Sequence, residues 1–321
     1  MSVRQDEELR SRPPFLRPIT RTSHIALLMS LCVGCQRAPA SPTPLAGAPI
    51  NNAVYAWAPC VGVQSPAGPA FTVQMNAAQQ LQRAGKMNWI RLNVSLDGVG
   101  LEYHRQARRM GLSIISIIHM SDLESAGWEA AFDRIYATYP GDIWEIASEI
   151  SNPDPTVNPV PITATNYMSQ FKTLYFYVKA RYPGAVLTNA PPYGSGDTGA
   201  PELEEFFTLG LLDLNVVIAL NVYSNYALSR YTAVMDKYAD RLAGKRVWVT
   251  ETGSANPNNQ IAWVQEFYPT IINSIHPEMI CWFEMWGGDS PAGDNGFGLL
   301  DQVTTSHPVE RPLFKALTGG S

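Results

Sequence analysis

Short apolar runs alternate with longer amphipathic segments along most of the chain. Eight runs are rich in β-branched and aromatic residues, as strands are, at residues 54–58, 89–94, 113–119, 142–147, 186–189, 215–222, 246–250 and 279–285. Segments with the 3.6-residue period of an amphipathic helix lie between and after them, at residues 72–83, 102–110, 128–139, 163–182, 202–212, 229–243, 260–274 and 312–317. Strands that alternate with helices predict an α/β fold with a parallel sheet.

The number of strand–helix units predicts a closed architecture. Eight units over about 265 residues match a (β/α)8 TIM barrel, which takes ~250 residues, so we expect a single catalytic domain at residues 53–321. An open doubly wound sheet is the alternative. Neither G-x-G-x-x-G after a strand nor G-x-x-x-x-G-K-[ST] occurs, so the nucleotide-binding forms of that alternative lose support.

The two kinds of connection differ in length. Turns from a helix into the next strand are short and contain glycine, which predicts left-handed helix C-caps, at residues 84–86, 110–111, 139–141, 182–184 and 243–245. Segments after strands are longer and rich in Gly, Pro and Asn, at residues 151–162, 190–201, 252–259 and 287–298. In a barrel of this kind, the loops after the strands carry the chemistry.

Two glutamates end apolar runs that precede such loops. Glu149 follows the fourth predicted strand and Glu251 ends the seventh, so a parallel barrel places both at one mouth, across from each other. Two opposed carboxylates suit glycoside hydrolysis, in which one is a protonated acid and the other stays ionised. The alternative is that each is an ordinary solvated or salt-bridged glutamate.

The residues around both glutamates form motifs. Residues 144–153 resemble the W-E-x-x-N-E-x-N-P pattern, and residues 247–253 resemble the V-W-V-T-E-T-G pattern, of clan A glycoside hydrolases. Residues 296–301 and 311–317 resemble the last loop and helix of these proteins. The resemblance runs from about residue 54 to residue 317 and implies a retaining (β/α)8 glycosidase that cleaves a β-linked glycan, with Glu149 as acid/base, Glu251 as nucleophile, and no metal or organic cofactor.

One position departs from the clan pattern. Ser148 stands where the clan usually has an Asn that donates to the sugar 2-hydroxyl. Serine can also donate, but it is shorter and aims differently. This departure keeps two alternatives open: a catalytically weak or inactive glycan-binding lipoprotein on the same barrel, and a transglycosylase that shares the residues.

The resemblance also suggests residues that contact the substrate or the nucleophile. Arg91 is in the second predicted strand, His119 ends the third, and Asn221 and Tyr223 end the sixth. A fixed cation such as Arg91 favours the ionised form of a nearby carboxylate. A structural salt bridge for Arg91, a core histidine and a core aromatic residue are the alternatives.

Tryptophans of the eighth predicted strand are candidates for stacking on a sugar ring. Alternation places Trp282, Glu284 and Trp286 on one face of that strand. Trp282 is the better candidate of the two indoles, since Trp286 can lie in the loop. Core packing of either indole is the alternative.

The N-terminus is predicted to direct export. Residues 1–23 are polar with five arginines, an apolar run follows at 24–34, and Cys35 comes next, as in a signal peptide. Residues 31–35 resemble a bacterial lipobox, so we expect an envelope lipoprotein whose lipid anchor is its contact with the membrane. Residues 36–52 are predicted to form a flexible tether. A plain secretory signal or a disordered tail is the alternative.

Composition narrows the partners. Hydrophobic residues make up 45% of the chain, enough for a large core, and no run of about 18 purely apolar residues predicts a membrane span. A net charge of −5 gives no electrostatic support for binding nucleic acid. We expect a monomer that acts on poly- or oligosaccharides. In an oxidising compartment Cys60 and Cys281 either pair or remain buried thiols.

Overall fold

The computed structural model of the protein describes residues 60–61, 69–138, 141–153, 162–286, 296–301 and 308–319. The chain divides into two units, Met1–Thr43 and Pro44–Ser321, and all the described residues belong to the second. The predicted signal, Cys35, the tether and the predicted strand at 54–58 lie outside the described residues. Export and lipid attachment therefore stay predictions.

Eight parallel strands follow one another in chain order. They are β1 (Cys60–Val61), β2 (Trp89–Asn93), β3 (Ser113–Ile118), β4 (Ile143–Ile146), β5 (Leu187–Thr188), β6 (Ile218–Asn221), β7 (Val247–Thr252) and β8 (Met279–Trp282). Strands β1 to β5 form one sheet and β6 to β8 another, and a parallel bridge between Thr188 and Val217 joins the two. Each strand thus neighbours the next, which is the strand order of a (β/α)8 barrel. An antiparallel pair, β9 (Leu300–Asp301) and β10 (Val309–Glu310), follows them.

Helices connect successive strands, as the periodicity predicts. They are α1 (Pro69–Arg83), α2 (Leu101–Arg109), α3 (Met120–Leu123), α4 (Trp128–Thr138), α5 (Ala164–Arg181), α6 (Gly196–Thr208), α7 (Asn225–Lys237), α8 (Ala239–Leu242), α9 (Gln260–Ala262), α10 (Tyr268–Ile275) and α11 (Pro312–Thr318). A π-helical segment, Trp263–Phe267, joins α9 to α10. None of the helices in the described part of the chain combines the length and apolar composition needed to cross a bilayer.

The two faces of the strands pack in different places. Alternate residues such as Ile114 and Trp144 join one large hydrophobic cluster with the helices. Their neighbours on the opposite face form a smaller cluster that holds no helix residue: Ile115, Ile143, Val217, Trp248, Met279 and Cys281. This smaller cluster is the apolar filling of the barrel. The side chain of Cys60 is outside the described part, so its pairing with Cys281 stays a prediction.

Local signals set most element ends. Glycines 85, 111 and 244 have φ of 67°, 76° and 78°, which confirms left-handed turns between helix and strand there. Gly141 and Gly184 do not have positive φ, so that prediction is wrong at those two turns. Helix α6 begins six residues before the predicted start at residue 202, because the Ser195 hydroxyl accepts from the Thr198 N–H at 3.3 Å and caps it.

Candidate active site

Glu149 and Glu251 reach the same region from opposite parts of the sequence. Glu149 lies three residues beyond β4, and Glu251 is the fifth residue of β7. The residues are 9% and 8% exposed, so both carboxyl groups retain limited access to solvent. The charge of Glu251 influences the titration of Glu149, which places the two groups in one electrostatic environment.

A bulge in β7 aims Glu251 at the barrel interior. Leu220 pairs with Val249, but the next residue, Asn221, pairs with Glu251, so β7 has one extra residue at Thr250. Strict alternation after the inward-facing Trp248 would turn Thr250 inward and Glu251 outward. With the bulge, both side chains contact residues of the site.

Arg91 is the centre of a buried ionic network. Its Nε donates to Glu145 Oε2 at 3.0 Å, and its Nη2 donates to Glu145 Oε1. The remaining nitrogen, Nη1, donates to Glu251 Oε1, and Nη2 also lies 3.2 Å from Ser148 Oγ. Arg91 and Glu145 are 1% and 0% exposed. The two bonds to Glu145 therefore fix the plane of the guanidinium group. In that plane Nη1 points to Glu251, the nucleophile candidate, and Nη2 lies beside Ser148.

Glu149 accepts hydrogen bonds from the loops after β4 and β5 and from the last residue of β6. Asn152 Nδ2 donates to Oε2 at 2.7 Å, while the Gly194 N–H and Asn221 Nδ2 donate to Oε1 at 3.1 and 3.0 Å. Asn221 is itself oriented, since its Oδ1 accepts from Thr250 Oγ1 at 3.1 Å. These contacts hold the carboxyl group in one place.

The environment of Glu149 favours its protonated form. Burial, the largest cause, and the charge of Glu251 together raise the pKa of Glu149 to about 7. The hydrogen bonds from Asn221, Asn152 and Gly194 act in the opposite direction and are too weak to cancel the effect of burial. A carboxylic acid that keeps its proton up to about neutral pH can serve as a general acid.

Glu251 is held at both oxygens. Its Oε2 accepts from the Tyr223 hydroxyl at 2.7 Å, and its Oε1 accepts from Arg91. The Tyr223 ring packs edge-on against Phe283 and Phe297, with centroid distances of 6.2 and 5.4 Å. Two donors, one of them charged, thus orient Glu251 as a hydrogen-bond acceptor.

Ser148 and His119 lie at the edge of this network. The Ser148 hydroxyl contacts Arg91 Nη2, as described above, and the residue is partly buried. His119 follows β3 directly and is exposed as a residue. The protein around its imidazole ring still excludes some solvent, which lowers its pKa; Asp122 opposes this shift and Arg91 increases it. Among the described residues no hydrogen bond joins the His119 ring to either glutamate.

The two tryptophan candidates, unlike Glu149 and Glu251, pack in or against the large hydrophobic cluster. Trp282 is 1% exposed in the large hydrophobic cluster, and its Nε1 donates to the Phe297 carbonyl at 3.0 Å. Trp286 packs partly buried against the same cluster. The two faces of β8 are the reverse of the prediction. Cys281 belongs to the smaller cluster inside the barrel and Phe283 contacts Tyr223, so Trp282 lies on the other face of the strand. The structure therefore does not bring Trp282 to the two glutamates.

Several contributing residues were not singled out from the sequence. Asn152 lies in the quoted motif, but only the fold shows that it donates to Glu149. Gly194 was one residue of a long predicted loop, and a Cβ there would lie 2.5 Å from Tyr223 Cδ2. Thr250 orients Asn221, but in the sequence it is an ordinary residue at the end of the seventh predicted strand. Glu145, four residues before Glu149, is buried and pairs with Arg91, which is a structural role.

Within the described ranges, no three His, Cys, Asp or Glu side chains are grouped so that they could hold a metal ion. No protein-family model matches the sequence, and no curated protein matches it significantly.

Solved structures with a similar fold do exist. The GH53 catalytic domain of Ignisphaera aggregans matches with a TM-score of 0.55 and 14% identity, over 87% of this chain and 99% of that chain. AbfB, a family 51 α-L-arabinofuranosidase from Bifidobacterium longum, matches with a TM-score of 0.56 and 10% identity, over 86% and 73%.

A third similar structure is β-glucuronidase 2 from Bacteroides uniformis, covalently bound to cyclophellitol-6-carboxylate aziridine. It has a TM-score of 0.56 and 14% identity over 83% of this chain. The chain spans about a third of that protein's length, 35%. Identities this low establish the fold alone. The eight parallel strands in chain order and these matches together show that the protein is a (β/α)8 barrel.

Proposed function

We propose that the protein is a retaining glycoside hydrolase that cleaves a β-linked glycan, with Glu149 as the acid/base and Glu251 as the nucleophile. One observation carries this proposal. Two buried glutamates from the ends of β4 and β7 interact electrostatically, yet their hydrogen-bond partners differ. Glu149 keeps its proton up to about neutral pH, whereas Glu251 accepts from Arg91 and Tyr223.

The reaction follows from these roles. Glu251 attacks the anomeric carbon while Glu149 gives its proton to the leaving oxygen, so that a glycosyl–enzyme ester forms. Glu149, now ionised, removes a proton from water, and the water oxygen displaces Glu251 from the anomeric carbon. Tyr223 and Arg91 hold the nucleophile in position throughout. The fold shared with a β-glucuronidase bound covalently to an aziridine, and with other glycosidases, supports the same chemistry.

Substitution of the two glutamates tests the mechanism. After a screen of aryl glycosides, β-glucans, mannans, xylans, galactans and α-L-arabinofuranosides finds a substrate, we expect Glu251→Gln and Glu149→Gln each to lower kcat by about 10²–10⁴-fold. The loss of kcat/KM in Glu149→Gln should be much smaller on a 2,4-dinitrophenyl glycoside, because kcat/KM reports the first step and this leaving group needs no proton. Glu266→Gln, on the exposed outside of the barrel, is the matched control. Full activity in either site variant would refute the assignment.

The stereochemical course is a separate measurement. NMR spectra of the first-formed product should show the anomer of the substrate, because two displacements restore the configuration. A 2-fluoro-glycosyl reagent should label the peptide that contains Glu251. Initial product of the opposite anomer would show inversion instead.

A second candidate function rests on Ser148. The hydroxyl of this residue contacts Arg91 where the clan pattern has an Asn for the sugar 2-hydroxyl. A protein with weakened transition-state contact at that position can bind glycan without turning it over. Glycan binding without hydrolysis and without labelling of Glu251 would favour this candidate. Product chains longer than the substrate would instead show transglycosylation.

A further inference from the structure

Another buried glutamate lies close enough to Glu149 to feel its charge. Glu202, on α6, is 7% exposed and takes no part in the proposed reaction. Its Oε2 accepts from the Ser151 hydroxyl, and the Tyr193 N–H faces the carboxyl group and lowers its pKa, in a contact weaker than that hydrogen bond. Burying a carboxyl group is costly, so its retention there calls for compensating contacts of this kind.

The two groups that contact Glu202 belong to the two loops that bind Glu149. Ser151 precedes Asn152, whose side chain donates to Glu149 Oε2, and Tyr193 precedes Gly194, whose N–H donates to Glu149 Oε1. One carboxylate thus holds the residue before each donor. The loop after β4 and the loop after β5 are tied together at this point.

The Tyr193 peptide is held from both sides. Its N–H faces the carboxyl group of Glu202, and its carbonyl accepts from the Tyr231 hydroxyl of α7 at 2.9 Å. Gly199 allows this approach, because a Cβ there would lie 2.1 Å from the Tyr193 carbonyl oxygen. The position of the Gly194 N–H therefore depends on packed helices behind the loop.

We propose that Glu202 is a positioning residue for Glu149, acting through the Ser151–Asn152 and Tyr193–Gly194 segments. This inference rests on the proposed role of Glu149 as acid/base. Two of the three hydrogen bonds to Glu149 come from segments that Glu202 anchors, and the third comes from Asn221.

The charged and titratable groups around Glu149 and Glu202 affect the pKa values that a titration of these two residues would measure. Burial, the largest cause, raises the pKa of Glu202 to about 7, and the charge of Glu149 contributes to this shift. Because such an interaction is mutual, the two carboxyl groups titrate as a coupled pair. The other groups that interact with one or both are Glu251 on β7, Glu205 on α6, Tyr231 on α7 and Tyr167 on α5.

Two variants at Glu202 separate its charge from its contacts. Glu202→Gln removes the charge but keeps an oxygen that faces Ser151 and Tyr193, whereas Glu202→Ala removes both. The hydrogen bonds from Asn152 and Gly194 lower the pKa of Glu149. We therefore expect a higher pKa of Glu149 in Glu202→Ala than in Glu202→Gln, read by NMR of protein labelled with ¹³C at glutamate Cδ and assigned with Glu149→Gln.

Kinetics give a second readout. On a confirmed substrate, Glu202→Ala should lower kcat by about 10–100-fold with KM nearly unchanged, because the acid is displaced while the sugar contacts remain. Glu202→Gln should keep most of kcat, with the alkaline limb of its pH profile moved to lower pH, since the removed charge no longer raises the pKa of Glu149. Glu204→Gln, at the surface of α6 where the residue pairs with Lys237, is the matched control.

The outcomes are distinguishable. Equal pKa values of Glu149 in the two Glu202 variants, with only a common loss of thermal stability, would overturn the positioning role. If Glu202→Ala does not fold, Ser151→Ala removes one of the two anchors and should raise the pKa of Glu149 relative to wild type; no change would also overturn it. Wild-type protein that hydrolyses no glycoside would refute the proposed function, while the NMR comparison would still decide the role of Glu202.

Discussion

At the scale of single residues, the site depends on how one guanidinium distributes its donors. Arg91 gives two hydrogen bonds to Glu145 and points its other donors at Glu251 and Ser148. Glu145 is fully buried and touches no position where a substrate would react. Its role is to neutralise and orient Arg91, because a buried cation without a partner is costly.

Removal of the Glu145 charge should therefore be far more damaging than removal of a surface charge. We expect Glu145→Gln to lower the free energy of unfolding in urea by about 3–5 kcal/mol, since it leaves Arg91 undercompensated in the barrel. Glu204→Gln, which breaks the exposed pair with Lys237, should cost only ~0–1 kcal/mol. Equal effects of the two substitutions would contradict the buried-network account.

At the scale of elements, loop backbone is as important as side chains. Gly194 lies in the connection between β5 and α6, where its N–H donates to Glu149 and the Tyr223 ring packs against its Cα. The same tyrosine donates to Glu251. This one glycine therefore connects the positions of both carboxyl groups.

A methyl group at Gly194 should disturb both contacts. In Gly194→Ala, the new Cβ would lie 2.5 Å from Tyr223 Cδ2, so the ring or the loop must move. We expect kcat on a confirmed substrate to fall by about 10²-fold. Gly184→Ala is the matched control, because a Cβ there meets nothing within 4 Å and φ is not positive. Wild-type kcat in Gly194→Ala would show that the close packing is dispensable.

At the scale of the whole molecule, the buried acids connect stability to pH. Glu149 and Glu202 have pKa values raised from 4.5 to about 7 in the folded protein. Between pH 4.5 and about pH 7, the folded state therefore binds more protons than the unfolded state. Stability from this source is complete below about pH 4.5 and is lost as pH rises through about 7.

The free energy of unfolding should reflect this linkage. We expect it to decrease from pH 4.5 to pH 7 and to do so less steeply in Glu149→Gln, by on the order of 3 kcal/mol over the range. Urea denaturation at a series of pH values measures the slope. Glu266→Gln should keep the wild-type slope. A slope unchanged by Glu149→Gln would show that its carboxyl group titrates in the folded protein as it does in the unfolded chain.

The sequence by itself determined the alternation of strands and helices and the position of Glu149 and Glu251 near strand ends. These features are local, because apolar periodicity and turn residues act over a few neighbouring positions. The prediction of a (β/α)8 barrel, which rests on these local patterns, is confirmed. The role of Glu145 as a structural residue could also be inferred, since alternation places it deeper in β4 than Glu149.

Only the tertiary structure decided how the site is assembled. The bulge at Thr250 turns Glu251 inward, the packing of Phe283 against Tyr223 leaves Trp282 in the core, and Glu202 reaches two loops from a helix. Each depends on contacts between segments far apart in the sequence. Strand alternation cannot anticipate a one-residue bulge, and it cannot show which face of β8 meets the barrel interior, because both faces of that strand are apolar.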